Sequence, residues 1–119
     1  MRIILLTMTL VATLIIAGCS GEKYGAGVDS SAPKATVKDV FLKKSLLGQK
    51  VTLEGNIVSQ CQSNGCWFYL RDATGQIYID LKTHNFTLPS MPNKNVAATG
   101  TVGKSQNNIV LIATGVEVK

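Results

Sequence analysis

Two cysteines, Cys61 and Cys66, bracket a polar loop, Gln62-Ser63-Asn64-Gly65, and Trp67 follows the second directly. Thiols at the two ends of such a loop can do three kinds of chemistry. Opposed residues of an antiparallel pair have Cα atoms about 4.5–5.5 Å apart, within reach of a disulfide. Two thiolates from one loop also suit a soft ion such as copper as Cu(I), with His84 and Met91 as weak further ligand candidates. A closed zinc site is not expected, because two Cys and one His leave it without a fourth ligand. Thiol exchange ranks third: the spacing is wider than C-x-x-C, and no nearby cation or helix N-terminus is evident to lower a thiol pKa.

The second group is aromatic. Trp67, Tyr69 and Arg71 alternate with Phe68 and Leu70, and Tyr78 alternates with Ile77 and Ile79, which places Trp67, Tyr69, Arg71 and Tyr78 on outward faces of two strands. Such a face can stack bases, sugars or another planar ligand. It can equally be a seam filled by aromatics beneath a helix or loop. His84, the only histidine, reads first as an exposed loop residue. The order of a Ser/His/Asp triad, a phosphate-cradling glycine loop and a carboxylate pair are all absent, so catalysis is not expected.

Positioning these residues falls to a β-rich chain. Val51, Leu53, Gly55 and Ile57 share one face of a first strand, and Asn64-Gly65 supplies the residue types of a hairpin turn. Further strands are expected over 76–81, 96–102 and 109–118, with a crossing loop over 82–95 that holds Pro89 and Pro92. Five strands in so short a chain, interrupted by Gly55, Gly100 and Gly115, predict a mainly all-β, five-stranded barrel. One short helix should precede it over 36–47. Thr36 and Asp39 form its capping box, Val37, Val40, Phe41 and Leu47 its apolar stripe, and Gly48 its stop.

The N-terminus reads differently. An apolar run over 3–16 follows Met1-Arg2, too short for a span of about 20 residues and suited to a signal-peptide core. Its ending, Ile16-Ala17-Gly18-Cys19, resembles the lipobox of bacterial lipoproteins. That resemblance implies a signal peptide over 1–18, lipidation (palmitate among the acyl chains) of Cys19, and a protein tethered to the membrane. Ser20 after the lipidated position points to the outer membrane, facing the periplasm. Residues 19–35, rich in Gly, Ser and Ala, are expected to be a flexible tether, leaving 36–119 as the domain. Export into an oxidising compartment favours a Cys61–Cys66 disulfide. The formal net charge of +5 in 119 residues, with lysines scattered, reads as a solvated surface with mild attraction to anionic lipid or acidic partners.

The run Val51-Leu53-Gly55-Ile57, then Tyr69 to Ile79 through Asp72-Ala73-Thr74-Gly75, then Val96 to Val102, resembles the periplasmic bacterial OB-fold proteins over residues 36–118. The C-x4-C-W element, with Cys61, Gly65, Cys66, Trp67 and Pro89, is similar to exported OB-fold lipoproteins that include the NrfJ-like accessory proteins. The helix usual between the third and fourth OB strands is missing from this pattern. The resemblance implies a non-enzymatic envelope accessory protein that binds a partner protein or a metal- or haem-related cargo. Nucleic-acid binding and thiol-redox accessory work stand as alternatives, and an exported lipoprotein seldom meets nucleic acid.

Overall fold

The computed structural model describes residues 21–119, so the lipobox and Cys19 lie outside the described residues. The elements are β1 (Lys23–Gly25), α1 (Val37–Leu42), β2 (Lys50–Gln60), β3 (Trp67–Asp72), β4 (Gly75–Asp80), β5 (Asn95–Ser105) and β6 (Asn108–Val118). Strand β2 is long enough to serve two neighbours. Its first half pairs with β5, from Lys50↔Thr101 to Asn56↔Asn95, and its second half pairs with β3, from Asn56↔Arg71 to Gln60↔Phe68. The register breaks between Ile57 and Ser59, a bulge that bends the strand around the barrel. The circuit continues through β3–β4 antiparallel, β4–β6 parallel and β6–β5 antiparallel, and so closes a five-stranded barrel.

Inward parity fills that barrel. Leu53, Ile57, Phe68, Leu70, Ile79, Val96, Ala98 and Leu111 are fully buried. One end is plugged by Val37 and Val40 of α1, the other by Leu88 and Met91 of the crossing segment. Between β4 and β5 there is no α-helix but a single 3-10 turn, Lys82–His84, as the sequence pattern implies.

Helix α1 is shorter than expected. The capping box forms, with Asp39 N–H donating to Thr36 Oγ1 and Thr36 N–H to Asp39 Oδ2. The chain leaves helical geometry at Lys43, and a 3-10 turn covers Lys44–Leu46. One and a half turns bury Val37 and Val40 but leave Phe41 46 % and Leu47 43 % exposed, so the predicted stripe is half realised. What fixes α1 is Asp72. Its carboxylate accepts from Val37 N–H at one end and from Thr74 N–H, Thr74 Oγ1 and Gly75 N–H in the β3–β4 turn.

The segment expected to be a tether is folded from Lys23 onward. Strand β1 pairs with β6 through Lys23↔Glu117, Tyr24↔Val116 and Gly25↔Gly115. Residues 28–32 then lie over the outward face of β2 and β5, and Lys34 pairs in parallel with the edge of β2 at Thr52. Thr52 N–H donates to the Pro33 carbonyl, Ala35 N–H to the Thr52 carbonyl, and Asp29 N–H to Thr99 Oγ1. Thr52 and Thr99 are thereby buried, and their hydroxyls satisfy each other at 2.7 Å. The physical reason is legible in β5. Val96-Ala97-Ala98-Thr99-Gly100 carries no charge on either face, and a strand apolar on both faces must be covered on both. Tyr24 packs against the core edge and donates its hydroxyl to Glu22.

Gly100 lies at the β5–β6 register break, one of the bends expected at mid-strand glycines. Gly115 instead allows a close approach, because a Cβ there would sit 2.0 Å from the Gly27 carbonyl oxygen. Gly115→Ala should therefore lift the covering segment and cost about 1–3 kcal/mol in urea unfolding. Asp72 gives a pH signature. Partial burial alone would raise its pKa, yet the hydrogen bonds from Thr74, Val37 and Gly75 leave it lowered. A depressed folded value means stability present above the ordinary carboxylate range and lost as pH falls through the folded pKa. Asp72→Ala should cost about 1–2 kcal/mol at neutral pH and flatten that acid limb, as read from urea midpoints across the acid range.

Candidate functional site

The Cys61–Cys66 loop joins β2 to β3 and is held rigidly from two sides. Cys61 N–H donates to the Trp67 carbonyl at 3.1 Å and closes the hairpin. Gly65 takes φ +62°, and a Cβ there would lie 2.1 Å from the Leu88 carbonyl oxygen. Only glycine combines that turn with so close an approach. Leu88 N–H donates back to the Gly65 carbonyl, and Leu81 N–H to the Cys66 carbonyl, which staples the loop to the crossing segment. Gln60 adds a clamp: its side-chain amide donates to the Pro89 carbonyl and accepts from Met91 N–H. Pro89 therefore belongs to the same construction, and loop and crossing segment enclose a groove of about 410 Å³.

Both cysteines are free thiols, half-exposed, with their sulfurs 3.6 Å apart and Cys66 donating to Cys61 Sγ. The loop directs donors at Cys61. The backbone N–H of Asn64 is foremost, followed by that of Cys66 and the Ser63 hydroxyl, and together they hold its pKa at about 6. Cys66 is pushed the other way, by its hydrogen bond to Cys61 and then by burial. Neither a cation nor a helix N-terminus is what lowers the Cys61 pKa. The groups that do are the loop's own amides, which a tight turn aims at one atom and which no charge pattern in the sequence announces.

Trp67, Tyr69 and Tyr78 form one aromatic triad on the outward face of β3 and β4. Trp67 stacks on Tyr78 at 5.6 Å between ring centroids and 24° between planes, and Tyr69 stands edge-on to both at 5.9 and 5.5 Å. Burial, then the nearby Asp80 carboxylate, raises the Tyr78 pKa. Arg71 continues the same parity at the far end of β3, opposite Gln76, and is exposed. The three rings are half-buried, in part by their own packing, and among the described residues they are not sealed from solvent.

The weak metal candidates do not join the thiols. Met91 is buried in the hydrophobic core, where its thioether packs against apolar neighbours. His84 is exposed at the end of the 3-10 turn after β4. Among the described residues no group of three or more His, Cys, Asp or Glu side chains could hold a metal ion. The thiols alone would have to hold a soft ion.

Sequence reasoning missed the place of Phe41 and of the β5–β6 turn beside the aromatic triad. The turn reduces to Gln106-Asn107, both with positive φ as in a two-residue hairpin. Phe41, Tyr69 and Tyr78 line a shallow groove of about 460 Å³ with Gln76, Gln106 and Asn108. The exposed Phe41, expected in the core, was the available signal. The candidate edge thus runs from the thiols, across the triad, to a trough of aromatic rings and amides.

A family model described as bacterial OB fold (BOF) protein matches residues 19–118. The hypothetical protein YgiW from E. coli is similar at 26% identity over 87% of this chain and 99% of that one, with a TM-score of 0.58. A putative aspartyl-tRNA synthetase from Leishmania major Friedlin shares 14% identity over 78% of this chain and 22% of its own, with a TM-score of 0.59; that likeness is one of fold alone. No curated protein matches the chain.

One measurement tests the electrostatics of the hairpin. Iodoacetamide alkylation at Cys61, followed by peptide mass, should rise with pH to half its maximum near pH 6, with Cys66 following at higher pH. Identical profiles for the two sulfurs would show that the loop donors do not act.

Proposed function

The chain belongs to the bacterial OB-fold family, and from that premise we propose a non-enzymatic, membrane-tethered envelope protein whose barrel captures a partner at the Cys61–Trp67 edge. The partner is a protein segment or a metal- or haem-related cargo. The observation that carries the reading is the pair of accessible thiols set beside an uncovered aromatic triad on rigid strands. Preorganised rings offer a flat apolar surface at little entropic cost, and the thiols add a soft donor pair at its rim. Cu(I), which accepts two thiolates, is the metal cargo this donor set fits.

The anchored reading gains a constraint from the folded N-terminal segment. With the domain beginning at Lys23, a lipid on Cys19 is separated from β1 by roughly 14 Å of extended chain at most. Such a protein would ride close against the bilayer, where a flexible tether over 19–35 would have let it float.

Competition with a Cu(I) chelator tests the site. The Cys61→Ser/Cys66→Ser double variant should keep its unfolding midpoint and lose retention of Cu(I) by at least about tenfold. Unchanged retention would remove the thiols from the site. The triad also favours a second reading, a nucleic-acid-binding module. It requires single-strand binding that weakens steeply with salt and disappears in Trp67→Ala/Tyr69→Ala.

A further inference from the structure

We propose that Cys61 and Cys66 form a dithiol that exchanges with a disulfide-bearing partner, Cys61 attacking and Cys66 resolving. The proposal rests on the reading of this edge as a docking site and names the covalent step that docking would permit. The geometry sets the roles. The sulfurs are 3.6 Å apart, so closing a bond of about 2.05 Å asks for a movement of roughly 1.5 Å, within the freedom of two χ1 angles. The hydrogen bond between them has a direction, with the Cys66 thiol donating and the Cys61 sulfur accepting.

Around Cys61 the rim is polar. Its thiol donates to Asn64 Oδ1 at 3.1 Å and lies 3.6 Å from Ser63 Oγ, on exposed loop residues that leave it open to approach. Cys66, next to Trp67 and with its carbonyl tied to Leu81 N–H, does not line the groove between the loop and the crossing segment, whereas Cys61 does. An incoming disulfide therefore meets Cys61 first, while the groove between the loop and residues 88–92 gives an extended partner segment a place to lie.

The step balances without an outside oxidant beyond the partner's disulfide. Cys61, as thiolate, attacks one partner sulfur; an S–S bond forms between chains and the second partner sulfur leaves as thiolate. Cys66 then loses its proton to solvent or to the departing thiolate. Its sulfur attacks Cys61 Sγ, breaks the mixed disulfide and releases the first partner sulfur. The partner gains two electrons and two protons, and the protein ends with a Cys61–Cys66 disulfide. In reverse, the disulfide would oxidise a partner dithiol.

Glutathione disulfide serves as probe, with the mature protein kept in metal chelator so that bound metal cannot contribute. Cys66→Ser should accumulate a one-to-one glutathione adduct at Cys61, located by peptide mass. Cys61→Ser should form its adduct at least about tenfold more slowly, and the wild-type protein should pass through the adduct to an internal disulfide that excess reduced glutathione reopens. Equal rates in the two single variants would overturn the assignment. So would a wild-type disulfide that reduced glutathione cannot open, because the pair would then be a structural cross-link. Failure here with Cu(I) retention intact sinks the exchange alone and leaves the docking reading standing.

Discussion

The barrel depends on one strand having two partners. β2 gives its first half to β5 and its second half to β3, with the bulge at Val58 turning it between them. The circuit closes the barrel, and the edges it leaves open, on β6 near Gly115 and on β2 at Thr52, are taken by β1 and by Lys34. The same bend fixes which face of each strand looks inward. Once Leu53 and Ile57 point to the core, Phe68 and Leu70 must follow, and Trp67 and Tyr69 are committed to the outside. The aromatic triad is the outward remainder of core packing, arranged where β3 and β4 lie side by side.

The site inherits its rigidity from the same source. The loop after β2 carries Cys61 and Cys66, and it would fray if it rested on the hairpin alone. It is pinned instead by the crossing segment, through Gly65 against Leu88 and Gln60 against Pro89 and Met91. Leu88 and Met91 in turn plug one end of the core. Thiol geometry is therefore coupled to core packing by these hydrogen bonds, and the loop shares one end of the barrel with the core plug. At the other end Asp72 plays the corresponding part, joining α1 to the β3–β4 turn with one carboxylate.

The N-terminal segment changes how the molecule is understood. Gly, Ser and Ala over residues 20–35 read as slack chain because none of them has an apolar period. In the structure those small residues are what allows the segment to lie flat on β2, β5 and β6, where Gly27 meets Gly115 and Ala32 is buried. Ion pairs tie it there: Asp29 with Lys50, and Lys34 with Glu54. Exposed pairs of this kind contribute little singly, and the burial of Thr52, Ala97 and Thr99 beneath the segment accounts for its order.

The sequence by itself determined the strands, the barrel, the capping box and the outward set of Trp67, Tyr69, Arg71 and Tyr78. Each of these follows from a period of two or from local turn chemistry, which any single stretch of chain displays. It also placed Cys61 and Cys66 across one loop, since four intervening residues permit little else. Only the tertiary structure decided that the rings of Trp67 and Tyr78 stack, that Met91 belongs to the core and that Phe41 lines a groove. Only it showed the loop amides converging on Cys61 and residues 23–35 covering the barrel. Those outcomes depend on which surfaces meet after the chain closes, and contacts between residues far apart in sequence leave no period within either one.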